Sequence, residues 1–198
     1  MIHSAADLTT FIDRLNQEGV TFYGRLSPAI LISLIKVASR ESAKYHESLD
    51  PFAPATFAVS WAGEETSPNW FDTPRELTER WHHQQQIRLA VNRPGIMIPE
   101  LYHPVLDCFL RALPYTYRNI PADPGTLLQF DISGECGGTW YLLREDSGWQ
   151  LVKSFLSKAT SRVRIPQEIA WRVFTKGIDR KSALAQTQVE GDSGFGLQ

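Results

Sequence analysis

Glu79 and His83 lie four residues apart in residues 72–92, DTPRELTERWHHQQQIRLAVN. On a helix, that spacing puts both side chains on one face. A carboxylate beside an imidazole can chelate one divalent ion. Glu79, His82, His83, Gln84, Gln85 and Gln86 together crowd ligand-capable groups into eight positions. A catalytic metal centre needs three protein ligands and an open position, and the Glu79/His83 pair supplies two. The competing reading is a solvated polar face. His82 points about 100° away from His83 on a helix and is set aside. Gln86 shares the Glu79/His83 face, where it can orient a ligand. Leu77, Trp81, Ile87 and Val91 form an adjoining apolar stripe that contains Gln84. An amide placed there must find a partner.

No other residue is an obvious third ligand. His46 falls near the end of a predicted helix, where a surface role is the simpler reading. His103 precedes Pro104 and can face helix 72–92, and His3 lies close to the start of the sequence. Cys136, in the run Gly134-Glu135-Cys136-Gly137-Gly138-Thr139, would need a neighbouring base to act as a nucleophile. A hairpin turn accounts for that run better, and no Gly-Lys-Ser/Thr follows to make it a phosphate loop. Cys108 sits in an apolar helical run and reads as a buried thiol. Two cysteines make no disulfide framework. Arg162, Arg164, Arg172, Lys176, Arg180 and Lys181 gather late in the sequence and read as a solvated face.

The elements that would position these groups fall into two halves. Of 198 residues, 42% are hydrophobic and 21% charged, and the formal net charge is -2. This is a globular composition able to bury a core, and its charge argues against a nucleic-acid binder. No run approaches the ~20 apolar residues of a membrane span. The N-terminus lacks the pattern of a signal peptide, so the expected location is cytoplasmic. Helical periodicity predicts helices over 5–25, 27–48, 72–92 and 98–117. The last should be kinked or broken, because it holds Pro104 and Pro114. Residues 50–69 form a long connection with one short extended piece at 57–61; its aromatic residues should pack down. After residues 121–125, PADPG, the period changes to 2. Strands are predicted at 126–132, 139–144, 149–152, 162–165 and 188–192, with helices at 166–176 and 180–185. The second half is thus α+β, a mainly antiparallel sheet with helices on one side. Residues 191–198 are a small-residue run where a further terminal helix is expected.

Five segments carry a family resemblance: ELTERWHHQQQIR, ELYHPVLDCFLRALPYTYR, SGECGGTWYLLREDSGWQL, RIPQEIAWRVFTKGI and VEGD. In these the sequence resembles the mycothiol-dependent maleylpyruvate isomerase family, which belongs with the DinB-like metal-binding bundles. The resemblance implies a two-domain α+β protein. A DinB-like helical bundle would span residues 1–120 and a sterol carrier protein 2-like (SCP2-like) domain 121–198. It places the family's E-x-x-x-H metal motif on Glu79 and His83. The third ligand would be a histidine on an earlier helix in an Ala-His-Leu-like context, which this sequence does not contain. The resemblance thus implies further N-terminal helices ahead of residue 1.

On this resemblance, the expected activity is that of a metal-dependent isomerase or S-transferase. It would take a small electrophilic substrate and use a divalent metal, zinc, together with mycothiol or another low-molecular-weight thiol. Expected partners are that substrate and a second copy of the chain, with no nucleic acid and no membrane. The alternative is a non-catalytic metal-binding or dimerising protein whose truncated bundle borrows helices from its partner.

Overall fold

The structure is a computed structural model, and it describes residues 4–59, 62–93, 95–154 and 157–196. Two long helices come first, α1 (Ala5–Tyr23) and α2 (Pro28–Ser48). Ser4 caps α1 by accepting from the Asp7 N–H. Ser27 caps α2 by accepting from the Ile30 N–H, with Pro28 in the first turn. In both, a serine oxygen meets an N–H that the first helical turn leaves free. Neither helix is packed, since α2 has no buried residue and none of the described side chains of α1 is buried. Arg80 Nη2 donates to Ser42 Oγ at 3.2 Å and so links α2 to the next helix.

The connection 50–69 folds down in part. Val59 and Phe71 are buried against Cys108, and the Val59 N–H is held by Ser67 Oγ at 2.9 Å. Phe52 and Phe57 remain exposed. The extended piece predicted at 57–61 makes no strand over 57–59, and its remaining residues lie outside the described ones. A 3-10 turn, Asn69–Phe71, leads directly into α3 (Asp72–Ala90). Asp72 is therefore the first residue of the helix, and no side chain caps the start. Asp72 pairs instead with Arg75 Nη1 at 2.9 Å.

The predicted fourth helix is broken, as its prolines require. It becomes α4 (Pro99–Leu110) and α5 (Leu113–Tyr117). Pro114 has no N–H to offer the Leu110 carbonyl, so α4 ends there. Pro104 is tolerated inside α4.

Five strands follow: β1 (Leu127–Ser133), β2 (Gly138–Glu145), β3 (Gly148–Val152), β4 (Ser161–Pro166) and β5 (Gln188–Gly191). The sheet order is β3-β2-β1-β4-β5. Three pairs are antiparallel, and β1 and β4 run parallel. Helices α6 (Gln167–Phe174) and α7 (Arg180–Leu184) separate β4 from β5, and α8 (Ser193–Gly196) is a single turn at the end. Period 2 sets the two faces. Leu128, Phe130 and Ile132 face the core, whereas Gln129 and Asp131 lie on the opposite face, where Asp131 is itself buried. On the outer face Asp131 accepts from Gln129, Thr139 and Arg162. Burial works to raise its pKa, but these donors outweigh that and hold it below the usual carboxylate range. The turn at Gly134–Gly138 forms as predicted. Gly137 is required in it, because a Cβ would fall 1.8 Å from the Ile132 carbonyl oxygen.

The main core crosses the 121–125 segment. Trp81, Tyr102, Leu106 and Tyr117 from the helices join Leu128, Phe130, Val163 and Trp171 from the α+β half. One bond at this seam is unusual. Tyr102 Oη donates to the Gln167 carbonyl at 2.8 Å and accepts from the Trp171 N–H at 3.1 Å. Those are the two groups that an i→i−4 bond would join in the first turn of α6. A hydroxyl from α4 thus takes part in the helix ladder of α6. Burial raises the Tyr102 pKa, so the hydroxyl stays protonated and able to donate. Tyr102→Phe leaves a buried N–H and C=O without that partner. We expect a loss of about 1–3 kcal/mol, read from the midpoint of urea unfolding; an unchanged midpoint would show that the turn closes without the hydroxyl.

Candidate metal centre on helix α3

Trp81 sets the rotation of α3. It is buried, and its Nε1 donates to the Ile96 carbonyl at 2.9 Å. Its ring stacks on Tyr102 with centroids 4.3 Å apart and planes 2° from parallel. Trp171 meets it edge-on at 6.0 Å. With Trp81 inward, the buried line of α3 is Thr78, Trp81 and Gln85. Glu79, His83 and Gln86 therefore face solvent. The apolar stripe expected through Ile87 and Val91 is not the buried one, because both are more than half exposed. Gln84 is exposed too, and Gln85 is the amide that enters the core. Aromatic stacking, not the count of apolar residues, decides which face turns in.

Glu79 and His83 come together as predicted, with His83 Nε2 3.5 Å from Glu79 Oε2. That pair attracts when the imidazole is protonated, and a shared cation would also draw the two atoms together. Gln86 Oε1 lies 3.0 Å from His83 Nδ1. An amide oxygen only accepts, so this bond needs a proton on Nδ1; in the neutral ring that leaves the lone pair on Nε2, on the Glu79 side. Both side chains are exposed, at 68% for Glu79 and 67% for His83.

His82 belongs with them. One ligand atom from each of Glu79, His82 and His83 lies within 4.8 Å of the others. The 100° between the two histidines is real, but Glu79 stands between them. At 100° per residue, His82 sits about 60° to one side of Glu79 and His83 about 40° to the other. The motif is thus E-x-x-H-H, a triangle at i, i+3 and i+4. Measuring each position from the carboxylate, rather than from the other histidine, makes it legible.

His82 is half-buried, and its ring lies edge-on to Trp171 at 5.8 Å. Its Nε2 is buried and has no hydrogen-bond partner. Burial lowers its pKa, and the neighbouring His83 adds to the shift against the opposing pull of Glu79. The shift favours the neutral ring, which is the form that coordinates metals.

The remaining candidates lie elsewhere. His46 lines a shallow cleft with Leu49, Trp70 and Pro74. His103 does not reach the Glu79 cluster. Its Nδ1 lies 3.1 Å from both the Cys136 and Gly137 carbonyls, and its ring stacks on Trp140. It pins the 134–138 turn to α4. His3 lies outside the described residues. Cys108 and Cys136 are buried free thiols, and burial raises the pKa of each. Neither is an activated nucleophile. Three of the six late basic residues are individually engaged: Arg162 with Asp131, Arg164 with Gln188 and Arg172 with the Gly177 carbonyl.

No protein-family model matches the sequence. No curated protein matches it either. Among solved structures, the chain is similar to sterol carrier protein 2-like 2 from Aedes aegypti. Identity is 13%, the match covers 44% of this chain and 86% of that one, and the TM-score is 0.36. It is also similar to a ubiquinone synthesis protein, UbiJ-SCP2, at 13% identity over 48% of this chain and 90% of that one, with a TM-score of 0.33. The structure itself is mixed α+β, a five-stranded sheet with helices. Among the described residues, no helix is long and apolar enough to cross a membrane.

The His82 nitrogen yields a test without metal. His82→Phe keeps the ring against Trp171 and removes the unpartnered atom. In a chelating buffer, thermal unfolding should show stability unchanged or raised by up to about 1 kcal/mol. A clear loss would mean that the nitrogen has a partner in the apo protein.

Proposed function

We propose that Glu79, His82 and His83 hold a divalent metal ion and that the protein is a metal- and thiol-dependent enzyme acting on a small electrophile. The observation that carries this reading is the triangle of ligand atoms within 4.8 Å on the exposed side of α3. Two imidazoles and one carboxylate are a zinc donor set, and an exposed site leaves a further position for another ligand. The residues fit the ion: His82 carries a buried nitrogen without a partner, and the Gln86 contact leaves His83 Nε2 free to coordinate. In the family resemblance the third ligand is a histidine on another helix. Here His82 takes that place.

A divalent ion held by Glu79, His82 and His83 would supply Lewis acidity that favours the thiolate of a coordinated thiol at neutral pH, chemistry that suits addition to an electrophile for isomerisation or conjugation. The chain's own residues have separate tasks. Glu79 and His83 bind, and Gln86 fixes the tautomer of His83. Trp171 holds the His82 ring, and Trp81 fixes the helix that carries all three. We assign the activity to the maleylpyruvate isomerase type, with mycothiol or another low-molecular-weight thiol, on a DinB-like bundle joined to an SCP2-like domain. A cytoplasmic setting suits such a thiol and two free cysteines.

The test is zinc titration of chelator-stripped protein by calorimetry, with elemental analysis of the product. One equivalent per chain should bind. Glu79→Gln, His82→Ala and His83→Ala should each weaken binding by tenfold or more, about 1.4 kcal/mol. Less than about a tenth of an equivalent would sink the metal centre. If zinc binds, thiol-dependent isomerisation of an unsaturated acid should follow its addition and vanish in Glu79→Gln. Zinc binding with no such reaction leaves a binding protein, not an enzyme.

A further inference from the structure

We propose that Gln85 is a positioning residue for His82, accepting the Nε2–H of its ring while Nδ1 turns to the ion. This role rests on the metal reading of Glu79, His82 and His83, and it employs an amide that reading leaves idle.

Gln85 is one of three buried residues of α3 and is only 7% exposed. Buried polar groups nearly always find a partner. Thr78, on the same buried line, gives its hydroxyl to the Pro74 carbonyl. Gln85 Oε1 is buried without a partner among the described residues, and so is His82 Nε2. Residues three apart on a helix are neighbours. Helical side chains also lean back toward the N-terminus, so the Gln85 amide is directed over the turn that carries Trp81 and His82. Two unmet atoms one turn apart on the same helix call for one cause.

The next pair along the helix shows what the spacing can do. His83 and Gln86 stand in the same i, i+3 relation, and there the amide oxygen lies 3.0 Å from a ring nitrogen. An amide oxygen only accepts, and a ring nitrogen donates only when it carries a proton. An imidazole that binds an ion through one nitrogen carries its proton on the other, and a carbonyl, carboxylate or water normally receives it. Glu79 and His83 are largely exposed, whereas His82 Nε2 is buried. An ion shared by the three lies on the solvent side and meets Nδ1 of His82. Nε2 then keeps the proton on the inner side, where Gln85 Oε1 is the unmet acceptor. Without the ion the two atoms are not hydrogen-bonded, and the ring rests edge-on to Trp171.

The test is zinc titration of the full chain by calorimetry, beside thermal unfolding in chelator. Gln85→Leu should bind zinc about tenfold more weakly. Its apo unfolding midpoint should be unchanged or raised, because an unmet buried oxygen is gone. A merely structural amide would not separate affinity from stability in this way. Gln85→Glu keeps an acceptor at the same length and should bind zinc at least as tightly as the unsubstituted chain. Nitrogen NMR of the imidazole rings gives a readout that needs no Gln85 variant. In the zinc-loaded chain His82 should show a bound Nδ1 and a protonated Nε2, its signals assigned by their loss in apo His82→Phe. Undiminished affinity in Gln85→Leu, a loss that only tracks a lower apo midpoint, or His82 bound through Nε2 overturns this role and leaves the metal centre standing. A chain that takes up no zinc overturns the metal reading, and this role with it.

Discussion

The stack of Trp81 on Tyr102, closed on its edge by Trp171, is the contact on which the rest of the molecule depends. It joins three elements with little else in common. Trp81 comes from a polar helix, Tyr102 from an apolar one and Trp171 from the helix against the sheet. Offset and edge-to-face aromatic pairs add about 0.5–1.5 kcal/mol each beyond the area they bury. The polar ends of the cluster are also satisfied: the Trp81 indole reaches the Ile96 carbonyl, and the Tyr102 hydroxyl lies in the first turn of α6. The helical half and the sheet half therefore share one core. The same contact fixes the register of α3, and with it the direction in which Glu79, His82 and His83 face.

The sheet half was largely legible. Its strands alternate Leu128, Phe130 and Ile132 on the core face with Gln129 and Asp131 on the other, and a period of 2 reports the two faces directly. The parallel pairing of β1 with β4 was not legible, because alternation carries no direction. The break before Pro114 followed from the missing N–H. The buried face of α3 was hidden for a physical reason. Its inward line is Thr78, Trp81 and Gln85, so two of its three buried side chains are polar. A hydrophobicity count selects Ile87 and Val91 instead, and those face out. One aromatic residue with two specific partners outweighed several aliphatic residues with none.

The candidate site was half legible for a related reason. The E-x-x-x-H spacing marks Glu79 and His83 as neighbours whatever the helix packs against. His82 joins them only through Glu79. Its burial comes from Trp171, 89 positions further along and invisible to any local window. The unpartnered His82 nitrogen is a cost to the fold. A site that leaves a buried nitrogen unmet gives up some stability, and such sites tend to be functional.

Arg80 ties the remaining parts together. It lies one residue from Glu79, donates to Glu76 at 2.6 Å and reaches Ser42 on α2 at 3.2 Å. A single guanidinium thus links the ligand-bearing helix to the helix pair that has no packed face. With few buried neighbours, α1 and α2 sit at the low-stability end of the molecule. The stack anchors α3 from the inside, whereas on the α2 side its neighbour is a helix with no buried residue. The aromatic stack is therefore the fixed point from which α3 presents both Arg80 and the triangle of Glu79, His82 and His83.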